Sequence, residues 1–135
     1  MTTTEARRAA SASERVETHG TAICALDRIA RESGVAALVD GEAVAVFRTY
    51  DDRVFAISNF DPFGRASVLS RGIVGTRGDD EVPFVASPLL KQRFDLRTGV
   101  CLDDPAIVVP CWEVRVVDGM VVVGARRETI SSCEP

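Results

Sequence analysis

Chemistry has few places to reside in this chain, and two short motifs concentrate them. They are Asn59-Phe60-Asp61-Pro62-Phe63 and Ser87-Pro88-Leu89-Leu90, each followed by a strand-like, glycine-punctuated segment. Asp61 and Ser87 offer oxygen atoms, whereas Phe63 and Leu90 have no lone pair to give. A hard cation such as Mg2+ accepts carboxylate and hydroxyl ligands, yet one of each makes a thin donor set. Asp and Ser in turns favour hydrogen bonds to nearby backbone N–H groups, so both are expected to bond locally, as is Asn59 at the loop entrance. Nucleophilic catalysis lacks its base: the only histidine is His19, in the polar N-terminal stretch, and no Ser or Cys has an imidazole beside it. The cysteines Cys24, Cys101, Cys111 and Cys133 are scattered without a Cys-x-x-Cys pair, which argues against a zinc knuckle, a thioredoxin-like motif or haem attachment.

Two further stretches invite chemistry and decline it. Residues 71–79, Arg-Gly-Ile-Val-Gly-Thr-Arg-Gly-Asp, lack the Gly-Lys-Ser/Thr ending of a phosphate loop and the spacing of a dinucleotide fingerprint, so their glycines read as turn and bulge residues. The pairs Asp79-Asp80 and Asp103-Asp104 sit in turn-like sequence, where adjacent carboxylates diverge into solvent.

Taken with Arg93-Phe94-Asp95-Leu96-Arg97-Thr98-Gly99 and Pro110-Cys111-Trp112-Glu113-Val114, the paired loops carry a family likeness. From about Thr21 to Ala125 the chain resembles the Rieske-like small subunits of cytoplasmic NAD(P)H-dependent assimilatory nitrite reductases. A Rieske 2Fe-2S cluster is held by two Cys and two His from paired loops, commonly Cys-Pro-His and Cys-Pro-x-His. On that frame the ligand positions here read Asp61, Phe63, Ser87 and Leu90, a set that cannot hold the cluster.

The resemblance implies an all-β Rieske-type fold, a β-sandwich or partly open barrel with an inserted cluster-binding-like subdomain at 59–99. It implies no cofactor in this chain, and a large nitrite reductase subunit as partner, carrying FAD, a 4Fe-4S cluster and sirohaem. The role implied is accessory, with Phe63, Leu89 and Leu90 at the loop tips as candidate contacts that either plug the vacant cluster volume or anchor the partner. Two alternatives stand beside it: a free-standing Rieske-like scaffold or binding module, and an electron-transfer protein recruiting a cluster through Cys101 and Cys111.

Composition agrees with a single domain. A chain of 135 residues buries roughly two thirds of its unfolded surface without help from metal or disulfide. The net charge of −4 gives no electrostatic reason to bind nucleic acid. No run reaches the ~18 apolar residues of a membrane span and no secretory signal is evident, so the expected location is cytoplasmic. Residues 1–20 and 126–135 are polar and read as flexible tails flanking a domain at 21–125.

Between the tails the periodicity is β. Val35 to Val39 and Ala43 to Thr49 flank Asp40-Gly41, a strong hairpin signal. Val54 to Ser58 puts Phe55 and Ile57 on one face after a polar bend, and delivers the chain to Asn59. Trp112, Val114 and Val116 alternate with charged residues before Asp118-Gly119 turns the chain into Met120 to Val123, predicting a closing hairpin. A helical turn is expected at Leu26 to Arg31, capped by Asp27, with Leu26, Ile29 and Ala30 facing the core.

Overall fold

The computed structural model describes residues 20–127, so His19, Cys133 and most of the two expected tails lie outside the described residues. Both hairpin signals act as expected. Strands β2 (Ser33–Val39) and β3 (Glu42–Arg48) meet across Asp40 (φ 51°) and Gly41 (φ 83°), and β10 (Cys111–Val117) meets β11 (Met120–Arg127) across Asp118 (φ 51°) and Gly119 (φ 79°). Two successive left-handed residues give the turn twist that matches antiparallel strands. Strand β4 (Val54–Ser58) returns along β3, and β1 (Thr21–Ala25), which the sequence reading left unassigned, pairs with β11.

These six strands form one antiparallel sheet in the order β1-β11-β10-β4-β3-β2, curled into a nearly closed barrel. Two smaller sheets fall between β4 and β10 in the chain. One is the short pair β5 (Phe60–Asp61) and β6 (Ala66–Ser67). The other is three-stranded, β9-β8-β7, from β7 (Ile73–Arg77), β8 (Val82–Ala86) and β9 (Arg93–Asp95).

Alternation along β3 and β4 divides the interior in two. Val44, Val46 and Ala56 join Val39, Trp112, Val121 and Val123 of the large sheet, and Ile29 of the segment after β1, in one core. Ala45, Phe47 and Ile57 point the other way and meet Leu69, Val74, Val85, Phe94 and Leu96, which fastens the three-stranded sheet to the barrel wall. Each fully buried large side chain contributes about 1.5–3 kcal/mol, so the second core is what holds the loop-bearing half of the molecule in place.

One expectation needs correction. The segment after β1 is a 3-10 turn over Leu26–Arg28 with Ala25 at its N-cap and no side-chain cap, so Asp27 lies exposed within the turn. Backbone at Ile29 is already extended (φ −107°, ψ 115°), which buries Ile29 completely and leaves Ala30 exposed. Arg126 and Arg127 lie in β11, in register with Trp112 and Cys111, and the Arg126 guanidinium both bonds Glu42 and lies 5.8 Å from the Trp112 ring centre. Among the described residues no helix is long and apolar enough to cross a membrane.

Gly99 shows how tightly the two halves join. It has φ 84°, it donates to Asp95 O at 2.8 Å and accepts from Val109 N–H at 2.9 Å, and a Cβ there would stand 2.1 Å from the Val109 carbonyl oxygen. Left-handed backbone alone costs a non-glycine residue about 1–2 kcal/mol. Gly99→Ala is therefore expected to lower unfolding free energy by about 2 kcal/mol or more, read as a lower midpoint in urea melts.

Candidate functional site

The two loops singled out by sequence come together, and they are built alike. In the first, the Asp61 carboxylate oxygen Oδ1 accepts from Phe63 N–H at 2.9 Å, the Asp61 carbonyl accepts from Arg65 N–H at 2.6 Å, and Arg65 is left-handed (φ 61°). In the second, Ser87 Oγ accepts from Leu89 N–H at 3.2 Å, the Ser87 carbonyl accepts from Lys91 N–H at 3.1 Å, and Lys91 is left-handed (φ 69°). Each turn is thus closed by a side-chain oxygen at its first residue, reaching the amide two positions on, as Asp and Ser do in turns. The same device recurs at Asp95, which accepts from Arg97 N–H at 2.8 Å and from Gly99 N–H through its carbonyl.

Sequence reasoning anticipated these local bonds but missed the one that joins the loops. Ser87 Oγ–H donates directly to Asp61 Oδ2, and both residues are buried, Asp61 completely. No local signal announces a partner 26 residues away. Asn59 acts as expected at the entrance: Oδ1 accepts from Ser70 N–H at 2.7 Å and the side-chain amide donates to Ser67 O at 3.2 Å, tying both ends of the first loop.

The four positions of the ligand frame have separate fates. Phe63 is half-buried and tilts against Phe94, with ring centres 6.2 Å apart, so it packs onto the second core. Leu90 is 57% exposed and its neighbour Leu89 46% exposed. Leu89 reaches over the first loop, where a Cβ at Gly64 would meet its methyl at 2.4 Å. A 2Fe-2S cluster does not fit these residues. Two positions carry hydrocarbon, and the oxygen atoms at the other two are committed to each other and to backbone amides. Among the described residues no group of three or more His, Cys, Asp or Glu is arranged to hold a metal ion.

Cys101 and Cys111 sit elsewhere, within the second core, and both are buried. Burial pushes the Cys101 thiol above its ordinary pKa, away from the thiolate that iron ligation needs. Residues 71–79 run from the end of a 3-10 turn (Leu69–Arg71) through β7 into the turn after it, where Gly78 has φ 74°. Asp79 and Asp80 are exposed. Asp103 is an exposed turn residue, as read from sequence, and it also grips Arg93 by its backbone amide (2.8 Å) and guanidinium (2.7 Å), which keeps its carboxyl below the usual range.

Residues 20–124 match the family model described as a Rieske-like [2Fe-2S] domain. The nitrite reductase (NADH) small subunit of Escherichia coli K12 is 51% identical over 100 residues, 73% of this chain and 91% of that one. The chain belongs to the Rieske-like nitrite reductase small subunits. The NMR structure of the E. coli protein NirD superposes with a TM-score of 0.69 at 47% identity, over 80% of this chain and 96% of that one. The nitrite reductase [NAD(P)H] large subunit of Klebsiella oxytoca contains a matching stretch, 43% identical over 103 residues, 76% of this chain but 10% of that polypeptide. Within this family the present small-subunit fold holds its loops together by oxygen and hydrocarbon instead of sulfur, nitrogen and iron.

That cross-link can be measured. Asp61→Ala strips the Ser87 hydroxyl of its acceptor, and Ser87→Ala leaves a buried carboxylate one donor short. Each is expected to cost about 1–3 kcal/mol. In a double-mutant cycle followed by urea unfolding the double variant should lose clearly less than the sum of the singles. For Cys101, alkylation by iodoacetamide at pH 8 should be far slower in the folded protein than after denaturation, because the side chain is fully buried from the reagent and burial also raises the thiol's pKa.

Proposed function

We propose that this chain is a cytoplasmic accessory subunit, non-catalytic by itself, of an NAD(P)H-dependent nitrite reductase that reduces nitrite to ammonia. The observation that carries this reading is the near-complete span of the match to the E. coli small subunit. The Klebsiella polypeptide supports the partnership, since there a domain like this one is joined covalently to a large nitrite reductase chain. In this reading FAD, the 4Fe-4S cluster and sirohaem reside in the large partner, and electrons pass from NAD(P)H to nitrite without crossing this domain.

What this chain supplies is contact. Residues 59–99 act as an inserted subdomain that presents the loop tip, with Leu89 and Leu90 as the apolar anchor, since exposed leucines grouped on one tip mark a contact site. Phe63 serves the same tip from beneath, by holding the first loop against Phe94.

The test is NAD(P)H-dependent nitrite reduction by the matching large subunit, with and without this chain. Added back, the small chain should raise the rate or the active lifetime. The Leu89→Asp/Leu90→Asp variant should bind the large subunit about tenfold more weakly or worse while keeping its fold. Full-strength assembly by that variant removes the tip from the interface.

A further inference from the structure

Residues 59–99 carry nearly equal numbers of acidic and basic side chains, and the fold sorts them by place. Asp61 is buried and turned inward onto Ser87 and the Phe63 amide. Asp95 is buried too and holds Arg97 at 3.0 Å. Asp79, Asp80 and Glu81 stand in the turn between β7 and β8, at the end of β8 opposite Ser87, where Glu81 accepts from Tyr50 O–H at 2.7 Å. A strand rises about 3.3 Å per residue, so the length of β8 sets those carboxylates roughly 15–20 Å from the second loop, beyond the Debye length of about 8 Å at physiological salt.

What is left at the tip has one sign. Arg65 in the first loop and Lys91 in the second are exposed, and among the described residues no carboxylate pairs with either. They share a surface with the leucines, since Leu89 lies over Gly64, the residue before Arg65, and Lys91 follows Leu90 directly. Within 59–72 and 86–92 the single acid is the buried Asp61, while Arg71, exposed at the end of its 3-10 turn, adds a further cation. Carboxylates on the flanking elements are mostly engaged. Asp103 holds Arg93 at 2.7 Å at the exit of the second loop, and Glu42, next to the Ala43 carbonyl that receives the Asn59 amide, holds Arg126 at 3.0 Å. Asp104 is turned to the Ala106 amide, and Asp40 stands in the turn between β2 and β3.

The backbone does not ask for these two side chains. Arg65 and Lys91 take the left-handed position that closes each turn, and in the third turn of the same design that position is Gly99. Nor is a small anion served, because the N–H groups that would line a phosphate nest, those of Phe63, Arg65, Leu89 and Lys91, are all given to Asp61 and Ser87. Anionic membranes are recognised by roughly four to eight clustered basic residues, more than the tip carries. Exposed leucines framed by cations suit a protein surface instead, where an apolar pocket takes the leucines and a polar rim meets the charges.

We propose that the large nitrite reductase subunit receives this tip in an acidic socket, an apolar pocket for Leu89 and Leu90 rimmed by carboxylates that face Arg65 and Lys91. This rests on the accessory-subunit reading and adds to it the chemistry of the surface that accepts the tip. The charge of the whole chain acts in the same direction. With a net charge of −4, the rest of the small subunit is repelled by an acidic partner while the tip is attracted, which orients the approach tip first and speeds association at low salt.

Binding of the intact small chain to the purified large subunit, followed kinetically at about 50 mM and about 300 mM NaCl, tests this. The Arg65→Glu/Lys91→Glu variant should bind at least about tenfold more weakly at the lower salt, mostly through slower association, and its deficit should shrink at the higher salt. Arg65→Gly/Lys91→Gly, which suits the left-handed backbone and should melt no lower than the parent, should be weakened in the same sense. Arg28→Glu/Arg115→Glu changes the net charge equally at exposed positions outside the loops and should bind within about threefold of the parent. Undiminished binding by both tip variants, or equal losses in the tip and control variants, overturns the socket and leaves the accessory role standing. Capture of the parent, but not of Arg65→Glu/Lys91→Glu, by phosphatidylcholine vesicles containing about 30% phosphatidylglycerol assigns the tip to lipid and overturns it as well. If the unsubstituted chain fails to bind the large subunit, the accessory reading itself falls, and the socket with it.

Discussion

Four consecutive residues of β3, Val44 through Phe47, are wholly removed from solvent. A strand can bury both faces only if something apolar covers each, and here the barrel interior covers one and the three-stranded sheet covers the other. The loops that define this family hang from the second layer, so their relative position depends on side chains such as Phe47, Ile57 and Phe94. The loop tip is therefore a property of the core beneath it as much as of its own residues.

On that base the chain uses one turn design three times. Asp61, Ser87 and Asp95 each cap the amide two residues on, and each turn is closed by a bond from the residue four positions on to the carbonyl of the first. The Asp61–Ser87 bond then joins two of the turns through their capping oxygens. In a cluster-bearing relative the metal centre fixes that distance. A buried carboxylate and hydroxyl do so here, because each would be left with an unmet hydrogen bond if the loops separated. Phe63 adds hydrocarbon where a ligand would stand. The result is a Rieske-like frame whose two loops are joined by oxygen atoms and hydrocarbon.

Much of this was legible beforehand. Asp40-Gly41 and Asp118-Gly119 announced their hairpins because few residues tolerate left-handed backbone at both turn positions. Asp61, Ser87 and Asn59 announced local backbone bonds because short polar side chains in turns have few other targets. Phe63 could be placed at the tip but not apportioned between plug and anchor, since that depends on whether Phe94 lies within reach. Where the sequence reading was silent, tertiary pairing decided. Thr21–Ala25 becomes a strand because β11 offers an edge, and Arg126 is received by Trp112 and Glu42.

By itself the sequence determined the all-β class, the hairpins, the family frame and the chemical impossibility of a Rieske ligand set at Asp61, Phe63, Ser87 and Leu90. These follow from backbone preferences and donor atoms, which are properties of residues and their near neighbours. Only the tertiary structure decided that Ser87 bonds Asp61, that Asp103 grips Arg93, and that Leu89 and Leu90 face outward while Phe63 packs inward. Each of those depends on distances between residues remote in the chain, and such distances are set by how two layers pack.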